Sequence, residues 1–567
     1  MNQSLNILKK YWGYNAFRPK QLEVINSILN NDDCLVLFPT AGGKSICFQI
    51  PAIIKKGVCI VVSPLISLIE DQVKNLNDKG IKAIALTNIS SKSELNRLLD
   101  NCQYGNYKFI YISPERLKNK IVRERIKTMD INLIAIDEAH CISQWGHDFR
   151  PAYHEIKYLR ELCPKSSLVA LTATATSEVR KDICEKLNMI NPKLFIKSFF
   201  RTNLSYNSIL TNDVLSSCIY YLKKSTGSAI IYVRSRQSTI EIAKKLNSKG
   251  IVSDFYHGGL DFETKKSVYI NWKENNTRVI VATNAFGMGI DKADVEKIIH
   301  LSIPESLESY FQETGRAGRN GDRSNTYLII NSDEIIKIKK WFSNQIIEIS
   351  FIKEVYRKLC NYFQIGYGEI SDMIHGLNYK DFCKRYNLSE NKTYNCLKLL
   401  ERNGIIIFIE SFKNKTLFQF LENPKMILDN LTENKKNIIK NILRSHESVL
   451  HKLTPINLDK ISSNCGVKKT DVLEILKKLE LENIGTLKIK NTDGQIRFIK
   501  PREDELTINK ISKSLEIQNK IKLSKLKLVI NYINNTHVCR SQQLLSYFGE
   551  KKSKTCGICD VCKAINK

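Results

Sequence analysis

The chain has 567 residues, 43% hydrophobic and 26% charged, an ordinary balance for a globular protein. That length divides into about four domains, because a single core stops growing near ~250–300 residues, and the composition excludes collagen, coiled-coil rods and wholesale disorder. Lys and Arg number 87 against 58 Asp and Glu, a net charge of +29; a polyanion partner such as nucleic acid is one reading of that excess, and a Lys-rich compositional habit is the other.

Residues 1–10 lack the apolar run of a secretory signal, and no apolar run approaches the ~20 residues needed to cross a bilayer. Most of the 16 Cys stand singly among apolar residues, as Cys34, Cys47, Cys59 and Cys184 do. Buried free thiols of that kind belong to a reducing compartment, so a cytoplasmic protein is expected, nucleoid-associated if bacterial.

In chain order, residues 34–38, 58–62, 109–112, 133–136 and 168–171 read as buried parallel strands. Residues 229–233, 279–282 and 298–301 repeat the pattern, each run followed by a helix-like segment. This βαβ succession predicts two α/β domains with a break near 199–208. After Trp341 the pattern changes. Residues 379–388 and 392–402 read as helix–turn–helix, and 405–410 with 417–421 as a hairpin or wing. A similar order recurs over 458–465, 469–481 and 487–499, giving two tandem winged-helix-like modules. A long Lys-rich helix over 508–534 leads to a terminal Cys cluster. Boundaries are expected at 1–204, 205–340, 341–535 and 536–567.

Three motifs carry phosphate chemistry. Residues 38–45, Phe-Pro-Thr-Ala-Gly-Gly-Lys-Ser, follow a strand and open a helix. A phosphate needs backbone N–H donors, a Lys and a hydroxyl for Mg²⁺; Lys44 and Ser45 supply the last two, although Phe38 stands where the general loop pattern has Gly. Asp137 and Glu138 end a buried strand, as suits Mg²⁺ coordination and activation of a water. Arg316 and Arg319, with Gly318 between, can offer planar guanidinium groups to a transferring phosphoryl group from a second domain. Finally, Cys539, Cys556, Cys559 and Cys562 have the spacing of a tetrahedral Zn²⁺ site.

These pieces, in this order, resemble superfamily 2 helicases, and specifically the RecQ family. The strongest stretch is DEAHCISQWGHDFRPAY (137–153), which looks like that family's acidic motif and aromatic-rich loop. Around it stand YWGYNAFRPKQ (11–21), VVSPLISLIEDQV (61–73), LTATAT (171–176), FYHGGL (255–260), VATNAFGMGIDKADV (281–295) and QETGRAGRNG (312–321). The resemblance covers about residues 5–335, and the cysteines resemble the family's zinc module.

It implies two tandem RecA-like parallel-sheet domains, then mainly helical winged-helix-like modules and a zinc-binding segment. It also implies a DNA-dependent ATPase that moves 3′ to 5′ on single-stranded DNA and unwinds duplex DNA in recombination and repair. Tyr14 would stack on adenine, with Arg18 and Gln21 beside it. Thr40, Gly42, Gly43, Lys44 and Ser45 would surround the phosphates of ATP, with Gln312 reaching the nucleotide from the second domain. His140 would link hydrolysis to the loop in which Trp145, His147, Phe149 and Arg150 face DNA. Ala41 and Lys20 stand where relatives usually have Gly. The zinc cysteines follow the winged-helix region, where many relatives have the reverse order, and with five residues after Cys562 the family's further C-terminal domain is not expected here. Residues 412–416 and 491–497 are candidate wings. An RNA helicase of the same superfamily, or a DNA-binding protein with a decayed ATPase core, are the alternatives.

Overall fold

The computed structural model describes residues 2–565 apart from 40–41, 88, 90, 144, 147–149, 288–289, 291, 372, 411–414, 423–432, 491–493 and 551–552. The chain divides into two compact units, Met1–Phe342 with Gln518–Lys567, and Ser343–Ile517.

The first unit holds two parallel sheets. One contains β1 (Cys34–Leu37), β2 (Val58–Val62), β3 (Ala83–Ala85), β4 (Phe109–Ile112), β5 (Ile131–Ile136), β6 (Ser167–Thr172) and β7 (Lys193–Ile196), in the order β3-β4-β2-β5-β6-β1-β7. Successive strand residues point to opposite faces, and here both faces are covered. Cys34, Val36 and Phe38 join one core cluster, and Leu35 and Leu37 join another. That is why the strands read as continuous apolar runs, each such side chain contributing roughly 1.5–3 kcal/mol. The register pairs Leu37 with Thr172 and Ile136 with Ala170, so β1, β6 and β5 end side by side. Ligands of open α/β sheets bind beyond such carboxyl ends.

The other sheet contains β8 (Leu204–Leu210), β9 (Ser228–Tyr232), β10 (Ser253–Tyr256), β11 (Val279–Ala282), β12 (Val295–His300) and β13 (Ser324–Ile330), in the order β10-β11-β9-β12-β13-β8. Helix Leu307–Thr314 follows β12 and leads to the two arginines. The C-terminal part of the long helix Glu505–Asn534 also belongs to this unit, with helix Arg540–Tyr547 and the cysteines. Its Leu526, Val529, Tyr532 and Ile533 share a core with Tyr310 and Phe311.

The second unit corrects the tandem reading. The strands are β14 (His375–Leu377), β15 (Ile406–Glu410), β16 (Lys415–Phe420), β17 (Thr454–Ile456), β18 (Gly485–Lys490) and β19 (Gly494–Phe498). β15 and β16 do not pair with each other as a wing. β15 pairs with β19 and β16 with β18, in two separate sheets ordered β14-β19-β15 and β17-β16-β18. One winged module, β16 to β18, is therefore inserted between the wing strands of the other. Each keeps its own core, Ile406, Phe408, Ile496 and Phe498 in the outer one, and Phe418, Phe420, Ile456 and Leu487 in the inner one. The candidate wing residues 412–414 and 491–493 lie outside the described residues.

Candidate active site

The phosphate loop runs from β1 into helix Lys44–Ile54. Gly43 precedes that helix with φ 78°, and an added Cβ would stand 2.3 Å from the Gln21 amide nitrogen. Only glycine meets both demands without strain. Gln21 is buried, donates to the Gly43 carbonyl at 2.9 Å and accepts from the Arg18 backbone N–H at 2.8 Å. The segment expected to read adenine is thus tied directly to the loop expected to hold phosphates. Tyr14 is 52% exposed, its ring open to a stacking partner. Lys20 takes the left-handed conformation, φ 66°, which explains why Gly is at home there, and its ammonium donates to the Ile196 carbonyl at 2.6 Å. Thr40 and Ala41 lie outside the described residues.

Lys197, absent from the sequence reading, follows β7 beside β1 and donates its N–H to the Leu37 carbonyl at 3.0 Å. Burial, then the neighbouring Arg18 charge, hold its ammonium below the ordinary value. Two crowded cations at one loop favour a polyanion.

Asp137 and Glu138 leave β5 beside this loop. Asp137 is buried, and its carboxyl is pushed up to about 6, first by burial and then by Glu138. The Lys44 ammonium and the Glu138 backbone N–H, 3.0 Å from Asp137 Oδ1, pull the other way. Glu138 sits in the left-handed region at φ 47°, a strain of roughly 1–3 kcal/mol for a non-glycine residue. Its carboxylate faces His140, whose Nδ1 lies 3.3 Å from Oε2 and 2.9 Å from the Thr172 hydroxyl at the end of β6. The Tyr153 hydroxyl donates to the Asp137 carbonyl at 3.0 Å and braces the turn.

From that turn the chain enters the aromatic-rich loop. Arg150 donates to the Pro64 carbonyl at 2.8 Å, joining the loop to the segment after β2. The Trp145 side chain is 44% exposed. His147 and Phe149 lie outside the described residues.

Arg316 and Arg319 stand on the second sheet's side. Arg316 is buried next to Tyr232, and its Nε has no hydrogen-bond partner among the described residues. A buried guanidinium nitrogen without a protein acceptor is a place for a ligand oxygen. Arg319 donates to the Ile290 carbonyl at 2.8 Å. Gln312 lies on the helix before them.

The Sγ atoms of Cys539, Cys556, Cys559 and Cys562 all lie within 4.8 Å of one another, with separations of 3.4, 3.9 and 4.0 Å among them. A tetrahedron with Zn–S near ~2.3 Å has S–S edges near ~3.8 Å, so the cluster fits one zinc ion. Backbone N–H groups of Cys556 and Cys562 donate to the sulfurs of Cys539 and Cys559. Sequence reading missed what anchors the module. Buried Arg540 pairs with Asp560 at 3.0 Å and donates to the Tyr532 carbonyl. Asp560 accepts from the Ser208 N–H at 3.0 Å, and Glu550 from the Phe199 N–H at 2.7 Å. The zinc module therefore grips β8 and the segment joining the two sheets.

The family models for DEAD/DEAH box helicase and for the helicase conserved C-terminal domain match residues 18–183 and 211–321. The fold is similar to that of Mss116p bound to single-stranded RNA and AMP-PNP, with a TM-score of 0.51 at 16% identity over 70% of this chain and 89% of that one. Two parallel-sheet lobes with this loop, acidic pair and arginine helix define a chain of the superfamily 2 helicase class.

The models for RecQ zinc-binding and for the RecQ helicase winged-helix domain of Bacteroidota match residues 502–563 and 418–488, the latter falling within the inserted module. The chain is 41% identical over 318 residues to ATP-dependent DNA helicase RecQ of Pasteurella multocida, covering 56% of this chain and 50% of that protein. It is 33% identical over 434 residues to the Probable ATP-dependent DNA helicase RecS of Bacillus subtilis, covering 72% and 87%. The chain belongs to the RecQ family of helicases. It spans about half the length of the RecQ relatives it matches. Among the described residues, no helix is long and apolar enough to cross a membrane.

Proposed function

We propose that this chain is an ATP-dependent DNA helicase that moves 3′ to 5′ on single-stranded DNA and unwinds duplexes, serving recombination and repair in the cytoplasm, at the nucleoid if the source is bacterial. The observation that carries the proposal is the convergence of Lys44, Asp137, Glu138 and His140 beyond the adjacent ends of β1, β5 and β6. The names of the RecQ relatives support DNA as the substrate.

In this mechanism the first lobe, 1–204, binds ATP through Tyr14, Arg18, Gln21 and the loop from Thr40 to Ser45. Lys44 neutralises the phosphate tail. Ser45 and Asp137 would hold Mg²⁺, which supplies charge screening of the phosphates when bound. Glu138 accepts the proton of the attacking water as its oxygen bonds to the γ-phosphorus and the bond to the β-phosphate oxygen breaks. Closure of the second lobe, 205–340, brings Gln312, Arg316 and Arg319 to the γ-phosphate, so turnover follows lobe position. Trp145, His147, Phe149 and Arg150 meet unpaired DNA, where stacking is worth ~1–3 kcal/mol per base without sequence preference. The winged-helix region, 341–535, adds phosphate contacts, and 536–567 carries the zinc.

The test is ATP turnover with single-stranded DNA and single-stranded RNA side by side, for the wild type and Glu138→Gln. DNA stimulates the wild type more than RNA does, and Glu138→Gln lowers turnover by ~100-fold or more while retaining DNA binding. Stimulation by RNA alone, or normal turnover in the variant, would reject the assignment.

A further inference from the structure

The charge pattern of the first unit contains one link that the proposed reaction leaves unused. Lys525, on the long helix Glu505–Asn534, is partly buried, its side chain 12% exposed. Its ammonium donates to the Trp145 carbonyl at 2.8 Å and to the Gly146 carbonyl at 3.1 Å. The same nitrogen lies 3.0 Å from the Glu308 carboxylate, whose side chain is 4% exposed. An ammonium has three protons, and here three acceptors take them.

The acceptors belong to different lobes. Trp145 and Gly146 are in the loop that extends from the acidic motif of the first. Glu308 lies in the first turn of helix Leu307–Thr314, the helix that ends just before Arg316. A carboxylate there is favoured by the helix dipole, so it serves as a firm handle on the helix. Further along that helix, Glu313 meets His300 Nε2 of β12 at 2.7 Å, and aromatic side chains make apolar contacts. Phe311 packs on Phe199 and Phe548, with ring centroids 5.7 and 4.9 Å apart, and Tyr310 on Tyr532 at 5.6 Å.

We infer that Lys525 is a positioning residue that couples the DNA-facing loop to the arginine-bearing helix. The inference rests on the proposed function above. A cation largely withdrawn from water resists losing its acceptors. Any shift of the Trp145 carbonyl must therefore move Lys525, break its bonds, or drag Glu308 and its helix. The Trp145 ring stays half-open to a base while its backbone is clamped, so contact with DNA is felt at the carbonyls. Arg316 and Arg319 lie at the far end of the dragged helix.

The experiment compares basal and poly(dT)-stimulated ATP turnover of the full, zinc-loaded chain for the wild type, Lys525→Met, Lys525→Arg and Glu308→Gln. A coupling of ordinary size predicts that Lys525→Met loses about tenfold in DNA-stimulated kcat while basal turnover stays within about twofold. The KM for ATP and the affinity for poly(dT) stay unchanged, and Lys525→Arg restores most of the stimulation. Glu308→Gln, which keeps the side chain's shape, shows the same selective loss and stands in should Lys525→Met fail to fold. Full stimulation in both Lys525→Met and Glu308→Gln overturns the inference. So does a parallel fall of basal and stimulated rates that Lys525→Arg does not rescue, because that is a merely structural role. A wild type that poly(dT) does not stimulate rejects the proposed function itself and the inference with it.

Discussion

Asp137 is held at the carboxyl end of β5 with its carboxyl pushed up to about 6, by burial first and by Glu138 second. The sign follows from where the proton goes. The metal-free fold binds this proton more tightly than the unfolded chain does. The ionised carboxyl therefore opposes folding at neutral pH, and the opposition is relieved as pH falls through about 6. A divalent cation competes with that same proton. The half-saturating Mg²⁺ concentration for ATP turnover is expected to be flat from pH 7 to 8 and to rise by up to ~10-fold per unit below about 6. Magnesium titrations of turnover across that range check it; a constant value down to pH 5 contradicts it. At this scale the residues proposed to act on phosphate stood out in the sequence, since Lys44, Asp137 and Arg316 are types with few other reasons to sit at strand and helix ends. Their supports were not. Tyr153 reaches the Asp137 carbonyl from 16 residues away, Thr172 reaches His140 from another strand, and Lys197 meets Arg18 only through the fold.

Elements were read best where both faces are buried. β1, β2 and β4 announce themselves as apolar runs, because a parallel strand between two helix layers has no polar side. β8 did not, because Ser205 and Asn207 are polar yet buried. Their hydrogen bonds go to the Ile558 carbonyl of the zinc module and the Thr326 carbonyl of β13. The hairpin joining 405–410 to 417–421 was misread for a different reason. Alternation tells which face a residue takes but not which strand it pairs with, and both true partners lie some 70–90 positions along the chain. Nesting of the modules has a direct consequence. Glu410 and Gly494 are paired neighbours, as are Lys415 and Lys490, so the inner module enters and leaves the outer wing at one place. Replacing residues 411–493 by an Asn-Gly turn is expected to leave a soluble, cooperatively melting protein with basal ATP turnover intact. Thermal unfolding and turnover assays check this; an aggregating product contradicts the nested topology.

Across the whole molecule, the zinc module works as a fastening. The Arg540–Asp560 pair and the Glu550 contact to Phe199 depend on the segment that the four cysteines close, and Lys525 lies on the helix that leads into it. Cys559→Ser is expected to abolish zinc binding, lower the melting temperature by roughly 5 °C or more and reduce DNA-stimulated turnover. Zinc analysis with calorimetry checks the first two, and a metal-free chain of unchanged stability contradicts the fastening role. The order of parts along the chain was legible from motifs. The grip of residues beyond Gln518 on the two lobes was not, since it joins positions more than 200 apart, through a shared apolar core and through single charged side chains. The account turns on whether cleavage of ATP at Lys44 drives strand separation, and duplexes carrying either a 3′ or a 5′ single-stranded tail decide it most directly. The wild type should open the 3′-tailed duplex only when supplied with hydrolysable ATP, and Lys44→Ala should open neither. Strand separation by Lys44→Ala, or none by an ATP-consuming wild type, would contradict it.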